Sequence, residues 1–220
     1  MTSVVTWADV YGRGCDLTPD AFVPQAQPEG PAALEAVQSA LSAHRVWREM
    51  PLAQRATRVL AAVDALERHR SLLAVLLEAE TGTPRHVAVA EVDRCLAGVR
   101  RFLADVGPRL RGRDPLPGPV GNIASWNYPA GLLTEAMLVQ ALAGNAVITT
   151  TDSRGPCFLT TAVALAVRAG LPVTLVGAGA LPMAGAVTWL DGRHGAGEAM
   201  LRAMTLEAAA ARAAGIPDPR

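Results

Sequence analysis

The 220-residue chain predicts an α/β protein in which N-terminal helices are followed by a short Rossmann-like parallel sheet with flanking helices. Two observations carry that prediction. Up to about residue 106, apolar residues recur at helical spacing in four successive segments. Beyond residue 119, short apolar runs alternate with helix-length segments, the pattern of right-handed βαβ crossovers in a parallel sheet. Half of the residues are hydrophobic, enough to build one good core.

The elements follow in order. Residues 1–30 hold Gly12, Gly14, Pro19, Pro24, Pro28 and Gly30 without a sustained period, so they read as an irregular arm, with one short strand at Val4–Trp7. Residues 31–220 read as one domain, helical over 31–106 and Rossmann-like over 119–220. Pro31 suits a first helical turn, and Leu34, Val37, Leu41 and Trp47 follow at helical spacing. A second helix from Pro51 places Val59, Leu60, Val63 and Leu66 on one face. Ser71 is the expected cap of a third, which stops at Gly82. A fourth follows Pro84, with Val92, Cys95, Leu96, Val99, Phe102 and Leu103 as its stripe.

Four prolines and three glycines between Gly107 and Pro119 predict a connection rather than an element. Strands are then expected at Val120–Ala124, Ala146–Thr150, Pro172–Val176 and Ala186–Leu190. Helices are expected at Pro129–Ala143, Cys157–Ala169 and Gly197–Ala214.

Composition excludes several classes of function. Twenty basic residues balance twenty acidic ones, so no basic field recruits nucleic acid or anionic lipid. No apolar run reaches membrane-spanning length, since Glu135 and Gln140 break the longest candidate. No apolar leader segment is evident after Asp9 and Arg13. Cys15, Cys95 and Cys157 are odd in number and far apart, which points to a reducing cytoplasm and to no metal site. His44, His69 and His86 fall on amphipathic helices, where surface or core histidines are ordinary. The stretch VGAGALP holds Gly177 and Gly179 but puts Pro182 at the third glycine position, so it reads as a strand–turn connection rather than a dinucleotide fingerprint.

Several landmarks stand in register. HRVWREMPLAQRATRVLAAVDALERHRSLLAVLLEAETGTP is followed by AEVDRCLAGVRRF, GPVGNIASWNYP, ALAGNAVI and RAGLPVTLVGAG. With these, the chain resembles the N-terminal, NAD-binding-domain half of the aldehyde dehydrogenase superfamily from about Ala33 to Val176. The resemblance implies that Trp126 lies beside a dinucleotide pyrophosphate and that the Asn127 amide donates to an oxyanion. The alternative for both is inherited scaffold, with Trp126 as packing.

The resemblance also marks departures. The lysine and glutamate of the family's ribose clamp fall on Thr150 and Ser153, and a further helix lysine falls on Ala136. The family's nucleophilic cysteine and general-base glutamate lie in segments beyond this N-terminal half, so a truncated member is expected. Cys157 opens a helix where the family has a scaffold residue, so it does not replace that cysteine. No cofactor is therefore expected, and any NAD(P) binding is weakened.

Polar residues remain at the expected cleft. Asp152 and Arg154 follow the end of a parallel strand, where α/β folds bind ligands. Arg193 and His194 stand between Gly192 and Gly197 in what echoes a phosphate-side loop; Arg193 meets a phosphate or carboxylate there, or is a solvated loop arginine. Glu135 is either a desolvated acid or base facing the cleft or an ordinary outward helix residue.

The resulting expectation is a repurposed non-redox enzyme acting on a small molecule. Asn127, Glu135 and His194 are its candidate catalytic groups, and Asp152, Arg154 and Arg193 its candidate substrate contacts. Trp126, Thr150 and Ser153 are the candidate cofactor contacts. Two alternatives stand beside it. One is a non-catalytic protein whose exposed apolar face is covered by a homodimer or protein partner. The other is an NAD(P)-dependent aldehyde oxidoreductase half completed by a second chain.

Overall fold

The computed structural model describes residues 30–123, 130–150, 156–177, 188–191 and 205–207. The four expected helices are present as α1 (Gly30–Arg48), α2 (Leu52–Arg68), α3 (Arg70–Thr81) and α4 (Arg85–Ala104). Pro51 and Pro84 sit at the N-caps of α2 and α4, where their missing N–H costs no helical bond. Gly82 ends α3 in the left-handed conformation, its N–H returning to the carbonyl of Glu78. The start of α3 differs from expectation. The chain turns at His69 and Ser71 is already inside the helix, because the ring of His69 bonds the carbonyl of Ala65 at 2.7 Å and closes α2.

The proline-rich connection also holds more structure than expected. A short helix α5 (Val106–Leu110) and strand β1 (Arg113–Pro115) lie within it. Strand β1 pairs antiparallel with β6 (Thr205–Glu207), which falls where the Ala-rich pattern predicts helix. The cross-strand partner decides the outcome at these three residues, overriding local propensity. The expected strand at Val4–Trp7 lies outside the described residues.

The remaining strands form one parallel sheet in the order β4-β3-β2-β5, from β2 (Val120–Ile123), β3 (Val147–Thr150), β4 (Val173–Leu175) and β5 (Thr188–Asp191). The first crossover begins as a π-helical stretch, Ala130–Glu135, and continues as α6 (Ala136–Leu142). The second is α7 (Pro156–Arg168).

Side-chain alternation along β3 separates two cores. Val147 joins the large one, where Val59 and Leu66 of α2, Leu73 and Leu77 of α3 and Val99 of α4 meet Leu138, Leu142, Phe158 and Leu159. Ile148 points the other way, into a smaller core with Ala33, Val37 and Ala40 of α1 and Val176. The N-terminal helices are thus part of what buries the sheet. No helix among the described residues is long and apolar enough to cross a membrane.

Candidate functional site

Most of the candidate residues follow, in sequence, the ends of three strands that finish together. Residue Ile123 pairs with Thr150 on one side and with Asp191 on the other, so β2, β3 and β5 finish side by side. Trp126 and Asn127 come soon after the first of these ends, Asp152, Ser153 and Arg154 after the second, and Arg193 and His194 after the third. These seven residues lie outside the described ones. Glu135 and Thr150 are described.

Thr150 closes β3. It is 1% exposed, and its hydroxyl is buried with no hydrogen-bond partner, as is that of the neighbouring Thr149. Asn122, also buried, stands opposite Thr149 on β2. The position that the resemblance assigns to the ribose clamp therefore carries a short, neutral, covered group with neither the reach nor the charge of a lysine.

Glu135 ends the π-helical stretch, half-buried against α4. The contact depends on a glycine: a Cβ at Gly98 would lie 2.5 Å from the carboxylate Oε1. Burial pushes the Glu135 pKa up, and the charge of Arg101 works against that shift. Glu135 is thus a carboxyl group with a raised pKa, packed at a helix–helix contact rather than freely solvated.

Two further carboxylates, absent from the sequence-derived candidates, control the same edge. Glu80 of α3 is 8% exposed and accepts the backbone N–H groups of Cys157 and Phe158 at 2.5 and 3.1 Å, capping α7. Glu91 of α4 is 5% exposed and accepts the N–H groups of Ala130 and Gly131, capping the π-helical stretch. Burial raises the pKa of both, and the amide hydrogen bonds oppose it. Helix N-termini at the carboxyl end of a parallel sheet are where anions usually bind. In this chain two of them are filled from within. The signal was present in the sequence: Glu80 is the acid of Glu-Thr-Gly-x-Pro, and Glu91 interrupts the apolar stripe of α4 beside Val92.

The described thiols are unsuited to nucleophilic work. Burial pushes the Cys157 thiol up to about 12, helped by the adjacent Glu80. Cys95 is buried and also raised, first by burial and then by Glu135 and Glu91. Neither is a thiolate at neutral pH. No group of three or more potential metal ligands occurs among the described residues.

The opposite edge of the sheet is tied by His44. Its Nε2 donates to the carbonyl of Leu116 at 2.9 Å, and its Nδ1 accepts from the N–H of Ala146 at 3.1 Å. Asn145 Oδ1 accepts from the N–H of Leu116 at 3.0 Å, and Trp47 Nε1 donates to the carbonyl of Ala141 at 2.8 Å. The two bonds of His44, one donated and one accepted, require a neutral imidazole. Burial takes the His44 pKa down to about 4, with the Leu116 bond opposing and Arg48 assisting.

This fold and these landmarks have known counterparts. The model of the aldehyde dehydrogenase family matches residues 21–179, and the chain belongs to that family. A protein of Mycobacterium ulcerans (strain Agy99) named as a succinate-semialdehyde dehydrogenase [NADP(+)] is 33% identical over 156 residues, which are 64% of this chain and 30% of that protein. The bifunctional protein PutA of Escherichia coli (strain K12) is 27% identical over 143 residues, 64% of this chain and 11% of PutA. Among solved structures, NADP-dependent glyceraldehyde-3-phosphate dehydrogenase of Bacillus halodurans C-125, complexed with NADP, superposes with a TM-score of 0.61 at 25% identity. That match covers 68% of this chain and 36% of the other. Methylmalonate-semialdehyde dehydrogenase of Oceanimonas doudoroffii gives 0.62 at 22% identity over 68% and 34%, a likeness of fold. The chain thus spans about a third or less of the length of these relatives.

Proposed function

We propose that this chain binds a small molecule at the carboxyl edge of its sheet and acts on it without transferring a hydride. The observation that supports this most is the state of that edge. Glu80 and Glu91 occupy the N-termini of both described crossover helices, and a buried neutral Thr150 stands at the ribose-clamp position. A dinucleotide phosphate gains nothing from either N-terminus and must rely on the segment after β5, which carries Arg193 and His194.

The chemistry this favours is proton transfer, as in an isomerisation, cyclisation or elimination. Asn127 donates to an oxygen that gains negative charge. His194 exchanges protons with the substrate, while Glu135, whose raised pKa comes with packing against Gly98 of α4, is the second candidate acid. Asp152, Arg154 and Arg193 orient it through its polar ends. Native mass spectrometry of the purified chain tests the reading. A retained small molecule, lost in Asn127→Ala, is the expected result; a chain that retains nothing and binds no member of a small-molecule library contradicts it.

A second reading is favoured by family membership itself: an NAD(P)-dependent aldehyde oxidoreductase part. It predicts aldehyde-dependent NADP reduction only when the remaining family segments, with their cysteine and glutamate, are added in a second chain.

A further inference from the structure

At the edge of the sheet opposite the proposed cleft, two guanidiniums bury nitrogens that make no hydrogen bond. Arg55, in the first turn of α2, is 8% exposed, and its Nε and Nη1 are buried without a partner. Burial alone perturbs it, taking its pKa down to about 10, so it stays charged at neutral pH. Arg48, at the end of α1, adds a buried Nε and Nη2, also without hydrogen bonds; its Nε lies 3.5 Å from the Glu49 carboxylate, an ion pair without hydrogen-bond geometry.

Arg55 borders the turn at Gly144, and Arg48 lies near the histidine that holds the next segment. Arg48 acts electrostatically on His44, whose ring holds the N–H of Ala146. The Arg55 guanidinium lies over Gly144, where φ is +103°, and a Cβ at that position would collide with Arg55 Nη1 and with Cγ of Pro115. The turn is therefore shaped to admit the guanidinium. A buried polar group without a partner is costly, and a buried cation more so. Arginine does not relieve that cost by losing its proton. Its planar fork matches one chemistry, that of a carboxylate or phosphate-type oxyanion.

We propose that Arg55 forms a binding site for a small oxyanion at the N-terminal edge of the sheet, separate from the carboxyl-edge cleft. The full chain tests this by thermal unfolding in sodium phosphate and in sodium acetate, each against sodium chloride at matched ionic strength. The expected result is a saturable rise in Tm for the wild type with at least one of the two anions. Arg55→Met should abolish the saturable part while matching or exceeding the wild-type Tm in chloride. Should the methionine variant fail to fold, Arg55→Lys keeps the charge and loses the fork, and its half-saturating anion concentration should rise about tenfold, the equivalent of one bidentate bond. A flat wild-type response overturns the proposal, as does a saturable response that survives in Arg55→Met. So does a Tm that ignores added anions but rises with protein concentration, which assigns the oxyanion to an acidic side chain of a second copy.

Discussion

The two edges of the parallel sheet are built differently. At the N-terminal edge, His44, Trp47 and Asn145 hold three separate backbone segments by side-chain hydrogen bonds, each 3.1 Å or shorter. At the C-terminal edge, the crossover helices are capped by Glu80 and Glu91, yet Thr149 and Thr150 at the end of β3 bury hydroxyls that bond nothing. The N-terminal edge is cross-tied by specific bonds, with guanidinium nitrogens of Arg48 and Arg55 left unpaired beside them; the C-terminal edge is anchored at its helices and leaves the hydroxyls of its strand end unpaired.

Trp47→Ala should break the fixed edge most severely. It removes a nearly fully buried side chain and its bond to Ala141, at a cost of about 4 kcal/mol in denaturant unfolding. A loss below about 1 kcal/mol would mean that α1 does not anchor α6.

Acid should act on the same edge through His44. Its folded pKa, about 4, lies below the unfolded value near 6.5, so between those values the unfolded chain binds more protons. The stability from neutral His44 is therefore complete above about pH 6.5 and is lost as the pH falls toward about 4, some 3 kcal/mol in all. Glu80, Glu91 and Glu135 have raised values, so their contributions run the other way and decline as the pH rises through their folded pKa values. Urea unfolding across this range isolates the histidine by difference. The gap between wild type and His44→Gln should shrink as the pH falls, and parallel curves would remove His44 from the account.

Glu80→Ala should cost about 2 kcal/mol, because two N–H groups of α7 lose their acceptor. Glu80→Gln keeps an oxygen acceptor and should recover most of that loss. If both variants are equally unstable, the negative charge at the helix N-terminus matters more than the hydrogen bonds. The smallest effect belongs to the strand end. Thr149→Val should be neutral or stabilising by up to about 1 kcal/mol, since it replaces an unpaired hydroxyl by a methyl group. A clear loss there would reveal a bond that the hydroxyl makes in solution.

Much of this architecture was legible in the sequence, because periodicity reports burial. The stripes of α1 to α4 and the runs of β2, β3 and β4 bury most of what their spacing says they bury, whereas Leu34 and Leu60, expected on the stripes of α1 and α2, are exposed. The failures have two causes. Strand β6 depends on a distant partner strand, which local pattern does not contain, and the start of α3 on a side-chain bond from His69 to the carbonyl four residues before it, which hydrophobic periodicity does not register. The site was less legible for a related reason. Thr150 could be named by position, but its covered, unpaired hydroxyl follows from packing. Glu80 and His44 work through contacts 77 and 72 residues away in the chain, so an acid inside a helical motif and a histidine on an amphipathic helix gave no hint of their targets. The contact between Glu135 and Gly98 likewise needed two helices to be docked before it had meaning.

The central claim is that the carboxyl edge of this sheet serves a small molecule and not a dinucleotide. Equilibrium titration of the full chain with NADP, and separately with NAD, followed by tryptophan fluorescence, tests it most directly. The account predicts no saturable quenching by either nucleotide. Saturable quenching that is lost in Trp126→Phe would contradict it and return the chain to the redox chemistry of its relatives.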